Sequence, residues 1–407
     1  MMEQIPGRRE ESGRNADRDA DLAGLAFEYR TQRQRVLFGT GRAGELLVTV
    51  LDEIGDRAGR ATASDPVSPR VMVIATRRER ERSAGVLGDI RAVLVFDEVA
   101  QHVPAESAER AHRAAQAADI DVVIALGGGS AIGLAKILAL RSERPGGLCI
   151  VAVPTTYSGS EATAVWGLVE QRVKTTGFDP RVLPGTVIYD AALTLSLPRE
   201  LSVCSALNAL AHGVDALWAP GANPVSALIA AEGIRLLARA LPGIAAAPVA
   251  GQNVAATIAL RAREDALHGA YLAASAFSSA GSGLHHKICH VLGGAFGLPH
   301  AQTHAIVLPH VLNLNASAVP ETEARIAAAL GSRSAVEGLL ALRERVQAPT
   351  ALRDLGFQES DIAGAVAMIL PLVPASNPRA VAPEDLTLLL RNAWLGTAPI
   401  CREHLPR

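Results

Sequence analysis

From about Arg35 to Asp190 the chain alternates two rhythms. The runs "RVMVIAT" (70–76), "AVLVFDE" (92–98), "DVVIALGGG" (121–129), "CIVAVPTT" (149–156) and "TVIYD" (186–190) are apolar on both faces and rich in Val and Ile. Strands buried between two layers of helices have this character. Between them, "AESAERAHRAAQAA" (105–118) and "SAIGLAKILALR" (130–141) carry apolar residues at helical spacing. Such strand–helix–strand repetition predicts a doubly wound parallel sheet. After about Leu197 the strand pattern stops. "PRELSVCSALNALAHGVDALWA" (198–219) has helical spacing, as do 224–240, 252–280, 322–330, 335–347, 359–371 and 384–396. Three prolines make 372–383 a loop. The expectation is an α/β domain over 25–195 followed by an all-helical domain over 196–407.

Composition fits this picture. With 49% hydrophobic but only 3% aromatic residues, helices and buried parallel strands are favoured over an aromatic-rich sandwich. The net charge of −2 has no basic or acidic block, so neither nucleic acid nor an anionic membrane is expected as a partner. No apolar run is long enough to span a bilayer. Cys149, Cys204, Cys289 and Cys401 form no CxxC pair, which reads as free thiols in a reducing cytoplasm. Ten of residues 1–21 are charged, of both signs, with no aromatic and no apolar core. That predicts a disordered leader over 1–24, not a signal peptide.

Two turns carry candidate chemistry. "ALGGGSAIGLAK" (125–136) places three glycines after a buried strand and opens a helix at Ser130. Glycines admit a phosphate close to the backbone, and a helix N-terminus supplies N–H donors. A plain strand-to-helix turn with a serine cap would use the same residues. "PTTYSGSEAT" (154–163) follows the next strand with many small or hydroxylated side chains. It is either a structural loop or the second wall of a ligand crevice at the strands' carboxyl ends. Lys174 reaches a phosphate or ribose in one reading and faces water in the other.

The histidines are the third feature. Asn208 and His212, His286 and His290, and His300 and His304 are each four residues apart, hence on one helix face. A lone histidine on an apolar face is usually a core residue. Three such pairs point to a shared polar site.

"GGGSAIGLAK", "PTTYSGSE", "NALAHGVDALWA" and "GLHHKICHVLGGAFGLPHAQTHAIVLPH" together resemble the iron-containing alcohol dehydrogenase family, and within it the maleylacetate reductase branch. The likeness runs from about Phe27 to beyond His310. It implies a dinucleotide-binding α/β domain, a helical domain and an active site between them. Gly128, Gly129 and Ser130 would cradle the pyrophosphate, and Thr155, Thr156, Thr163, Lys174 and Leu201 would line the rest of the cofactor site. The family's metal ligand positions fall on Asn208, His212, His286 and His300, and His290 matches a further active-site histidine. The resemblance also implies a homodimer.

Asn208 departs from the family's aspartate. An amide offers an oxygen but no charge, and hard or borderline divalent cations favour a carboxylate. No bound metal is therefore expected. Gly133 and Tyr157 also follow the branch. The expected reaction is NAD(P)H-dependent reduction of the C=C bond of maleylacetate, a small dicarboxylate, to 3-oxoadipate. His212, His286, His290 and His300, with Tyr157 and Lys287, would stabilise the enolate and deliver the proton. His285, His304 and His310 are assigned to structure. After "VMVIAT" come Arg77 and Arg78, not an acid, so NADH is expected with NADPH tolerated. The alternatives are a metal-dependent alcohol or polyol dehydrogenase of the same family and a lyase of the dehydroquinate-synthase kind.

Overall fold

The computed structural model describes residues 25–57, 61–62, 65–66, 69–170, 173–246 and 253–400; the leader over 1–24 lies outside them. Eight strands are used below: β1 (Arg35–Phe38), β2 (Val71–Ile74), β3 (Ala92–Phe96), β4 (Val122–Gly127), β5 (Cys149–Pro154), β6 (Val165–Glu170), β7 (Val173–Phe178) and β8 (Thr186–Tyr189). Six of them form one sheet in the order β1-β8-β5-β4-β2-β3, with every pairing parallel. β6 and β7 make a separate antiparallel hairpin.

Alternation along the strands explains their two-faced apolarity. Val71, Val73, Val122, Ile124, Leu126, Val151 and Val153 face Leu47 and Val50 of helix α1 (Ala43–Arg57). Met72, Ile74, Val123, Ala125, Ile150 and Ala152 face the other way. There they meet α3 (Ala105–Ala117) and α4 (Gly129–Arg141), which follow the short α2 (Arg77–Arg82). The five strands read from the sequence are present. β1 and the hairpin were not anticipated: β1 has only four residues, and the hairpin mixes charged and apolar positions.

The C-terminal part is helical, as expected. α5 (Arg199–Ala216) runs through its middle, buried at every residue from Ser202 to Ala216. A helix apolar all round belongs in a core. α6 (Pro224–Ala245), α7 (Asn253–Ala280) and α9 (His300–Ala316) pack on it, and α8 (Leu284–Ala295) lies beside α9. One apolar cluster continues from the sheet face into α5, α6 and α7. We propose the division at 195–196 as a boundary between two lobes that share this core. None of the described helices is long and apolar enough to cross a membrane.

Candidate active site

Two turns meet at the carboxyl ends of β4 and β5. Gly127 ends β4 with φ 152°, Gly128 precedes α4, and the helix opens at Gly129. The unpaired N–H groups of that first turn are the kind of donor that receives a phosphate. The Thr155 N–H donates to the Gly127 carbonyl at 3.1 Å. A methyl on Gly128 would lie 2.9 Å from Thr156 Cγ2, so only glycine allows the turns this approach. Gly127 and Gly128 thus lie against Thr155 and Thr156, with Gly129 and Ser130 following in the first turn of α4. Leu201 is exposed on the first turn of α5. The backbone of Lys174 pairs with Val169 in the hairpin; its side chain lies outside the described residues.

Thr163 serves another purpose. Its hydroxyl donates to the Ser160 carbonyl and accepts from Lys136 Nζ at 3.1 Å. That ammonium also donates to the Thr163 and Val165 carbonyls, each at 2.8 Å. Burial pushes Lys136 down to about 7, opposed by Glu161. Glu161 is itself buried, which raises its pKa, and accepts from the Tyr189 hydroxyl at 2.8 Å. Lys136 and Glu161, which the sequence reading did not single out, hold the 154–163 loop to α4 and β8.

That loop reaches the helical lobe at Gly159. The residue has φ 72°, and a methyl on it would lie 2.7 Å from Ala274 Cβ and 3.2 Å from His212 Cε1. The loop bordering the phosphate crevice therefore touches a histidine of the second site.

The expected histidines do come together. His212 of α5 stacks on His286 of α8 at 4.8 Å, and Phe277 of α7 packs against both rings at 5.1 and 4.4 Å. His290 lies 6.2 Å from His286, and His300, at the start of α9, lies 4.3 Å from His304. His212 and His286 are buried, while His290, His300 and Lys287 are half-buried. Tyr157 is not part of this group. Its ring is wholly buried, and its hydroxyl accepts from Arg263 Nη1 at 3.1 Å beside Thr194. A donor so engaged in the core is no wall or donor of the histidine cleft, which corrects the catalytic reading of Tyr157.

Asp215, missed in the sequence, organises the cluster. Its Oδ2 accepts from His286 Nδ1 at 2.7 Å and from the Gly283 and His286 N–H groups, and its Oδ1 accepts from Trp218 Nε1 at 3.1 Å. Burial raises the Asp215 carboxyl, while His285, the Trp218 indole and backbone N–H groups pull it down. Four donors converging on two oxygens suit the carboxylate form. The proton of His286 then sits on Nδ1 and its Nε2 lone pair is free. The signal was available: Asp215 is the one acid in a fifteen-residue buried run, one turn after His212.

Burial pushes His212 down to about 4, opposed by Asp215. It also lowers His286 well below the ordinary range, helped by His212 and His300. Both are neutral at pH 7. Asn208 Oδ1, His212 Nδ1 and His286 Nε2 are buried without a hydrogen-bond partner. Neutral imidazole nitrogens and an unpaired amide oxygen are donor types that suit a divalent cation. Immediately behind, His285 Nε2 and His304 Nδ1 are 2.9 Å apart, and Cys289 Sγ is 3.7 Å from His285 Nε2. The ligand atoms of this trio lie within 4.8 Å of one another. Two of its nitrogens are within hydrogen-bond distance of each other, so an ion held there would displace that bond.

The family model for iron-containing alcohol dehydrogenase matches residues 35–191, and the model for the C-terminal part of that family matches 202–394. The maleylacetate reductase of Sphingobium indicum is 41% identical over 92% of this chain and 99% of its own length. The maleylacetate reductase structure from Agrobacterium tumefaciens is 35% identical, with a TM-score of 0.80 over 92% of this chain and all of that one. An iron-containing alcohol dehydrogenase from Corynebacterium glutamicum is 51% identical, with a TM-score of 0.82 over 91% of this chain and 97% of that one.

These matches overturn the expectation of no metal. The family is one of iron-containing enzymes, and the chain supplies unpaired atoms on Asn208, His212 and His286 as well as the His285–Cys289–His304 trio. The charge missing from Asn208 bears on affinity, not on whether donors are present. Asn208→Asp is accordingly expected to tighten metal binding by at least about tenfold, roughly 1.4 kcal/mol. Competition with a chromogenic chelator measures this, and an unchanged constant would take Asn208 out of the donor set.

Proposed function

The chain belongs to the iron-containing alcohol dehydrogenase family, and on that premise we propose that it is a maleylacetate reductase, using NADH to form 3-oxoadipate in aromatic-compound degradation. The observation that carries this reading is the contact of Gly159 with His212. That approach supports a shared cleft, in which a hydride donor and a polarising site face the same small molecule. The relatives from Sphingobium indicum and Agrobacterium tumefaciens are maleylacetate reductases.

Maleylacetate carries a ketone conjugated to its C=C bond. When bound, NADH would supply the hydride for the alkene carbon β to the ketone. The electron pair moves onto the ketone oxygen, and the enolate takes a proton at the α carbon. One hydride and one proton are added, and NADH becomes NAD⁺. His212, His286, Asn208 and His300 would hold a divalent metal, whose chemistry is Lewis-acid polarisation of the ketone oxygen. His290, outside the ligand set, lies half-buried, where solvent can resupply the proton it delivers to the α carbon. Lys287, half-buried on the same helix as His286, supplies positive charge for a dicarboxylate. A homodimer, which rests on the family resemblance, and a cytoplasmic location, which rests on the free thiols, complete the proposal.

The test is NADH absorbance in the presence of maleylacetate, before and after chelation, with bound metal measured directly. Stoichiometric NADH oxidation, reduced by chelator and restored by added metal, is expected. No oxidation would refute the function. Conversion without net NADH loss would return the lyase alternative, and turnover of simple alcohols alone would return the alcohol dehydrogenase.

A further inference from the structure

A carboxylate stands in the dinucleotide crevice where the sequence showed arginines. α2 starts directly after β2, and Thr76 caps it by accepting from the Glu79 N–H. The Glu79 side chain turns back over the sheet. Its Oε2 accepts from the Thr76 hydroxyl at 3.0 Å and its Oε1 from the Thr155 hydroxyl at 2.9 Å. A methyl on Gly127 would lie 2.9 Å from Oε2 and 3.1 Å from Oε1. The first glycine of the turn is thus what leaves room for this carboxylate.

We propose that Glu79 accepts the hydroxyls of the adenosine ribose and makes the chain prefer NADH to NADPH; this rests on the dinucleotide reading above. β2 is the sheet neighbour of β4, with Ile74 beside Ala125. A dinucleotide whose pyrophosphate lies on the β4–α4 turn carries its adenosine ribose over that neighbouring strand. The hydrogen-bond partners of the Glu79 carboxylate are hydroxyls, not cations, so its charge is not neutralised by a contact. Vicinal ribose hydroxyls can donate to the remaining lone pairs. A 2′-phosphate would set a second anion against the first, which disfavours NADPH. Of the two arginines expected to receive that phosphate, one already has a carboxylate partner. Arg77 Nε pairs with Glu81 at 2.9 Å on the exposed face of α2. The tolerance of NADPH expected from Arg77 and Arg78 narrows accordingly.

The test reads nicotinamide fluorescence on titration of the full chain with NADH and with NADPH, without maleylacetate, so it stands apart from turnover. The wild type is expected to bind NADH at least about tenfold more tightly than NADPH. Glu79→Gln keeps the shape and an acceptor for the threonines. It is expected to bring the two constants within roughly threefold, mainly by improving NADPH. Should that variant not fold, Glu79→Asp, which retracts the charge, is expected to weaken NADH several-fold. Equal constants in the wild type, an unmoved ratio in Glu79→Gln or an unchanged NADH constant in Glu79→Asp would overturn the proposal. So would loss of NADPH binding in Arg77→Ala while Glu79→Gln is inert. Binding of neither dinucleotide would refute both this proposal and the reading beneath it. Dinucleotide binding without maleylacetate turnover would refute only the substrate.

Discussion

Chelator-treated protein at about pH 5 is expected to be largely unfolded where the same protein at pH 7 is stable. Five buried histidines set this result. Burial is the first cause of lowering in each: His212 to about 4, His285 and His310 to about 3, His286 and His304 well below the ordinary range. A histidine whose folded pKa lies below its unfolded value of about 6.5 binds more protons when unfolded. Stability then rises with pH between the two values and is lost as pH falls below about 6.5. Each such group contributes about 1.4 kcal/mol per pH unit, so five approach roughly 7 kcal/mol per unit. One and a half units of acidification would remove about 10 kcal/mol, comparable to the whole stability of a typical domain. Asp215 and Glu161, raised by burial, act in the opposite sense, but two groups cannot cancel five. Lys136, near 7, sets a cost that no longer changes at lower pH. Urea midpoints between about pH 5 and pH 7 measure the slope. A midpoint that hardly moves would show that these rings are not held neutral. His310→Phe, at a site lined by Leu314 and Leu389, should recover about one histidine's share, roughly 1.4 kcal/mol per unit.

How much was legible depends on the range of the interaction. The five central strands and the long helices were readable because burial on both faces, or all round, leaves a local pattern in Val, Ile, Leu and Ala. β1 has four residues and takes its meaning from its pairing with β8. The histidine pairs were readable because helical spacing predicts a shared face. That three helices bring those faces within ring contact is a tertiary fact. Tyr157 misled because its loop is otherwise small and hydroxylated. Its partner Arg263 lies 106 residues away, and that distant cation is what anchors the phenol in the core. Glu79 was hidden for the opposite reason. It sits among arginines that suggest a positive edge, and only the return of its side chain over Gly127 puts a negative charge there. The metal was misjudged by weighing one amide against one carboxylate, without sight of the unpaired nitrogens around it.

His286→Ala is expected to lower turnover of maleylacetate by at least about a hundredfold, and His290→Ala by a similar factor. The first removes the free Nε2 that Asp215 prepares, and the second removes a half-buried imidazole at the cleft. Asp215→Asn tests the preparation itself. The Oδ2 site receives three donors: His286 Nδ1, the His286 N–H and the Gly283 N–H. An amide can meet them only with its oxygen, which turns its NH₂ toward the Trp218 indole N–H. Turned the other way, the NH₂ faces three donors. In that second arrangement His286 is pressed to keep its proton on Nε2, where it can no longer present a lone pair. Loss of such an outer partner costs about ten- to a hundredfold in metal affinity or activity. The expected signature is a fall in kcat and in metal affinity with the NADH constant unchanged, because Glu79 and the glycine turn are untouched. Weakened NADH binding in step with turnover would mean the lobe had simply loosened. Near-normal rate and metal affinity in Asp215→Asn would show that the His286 tautomer is set by something other than Asp215.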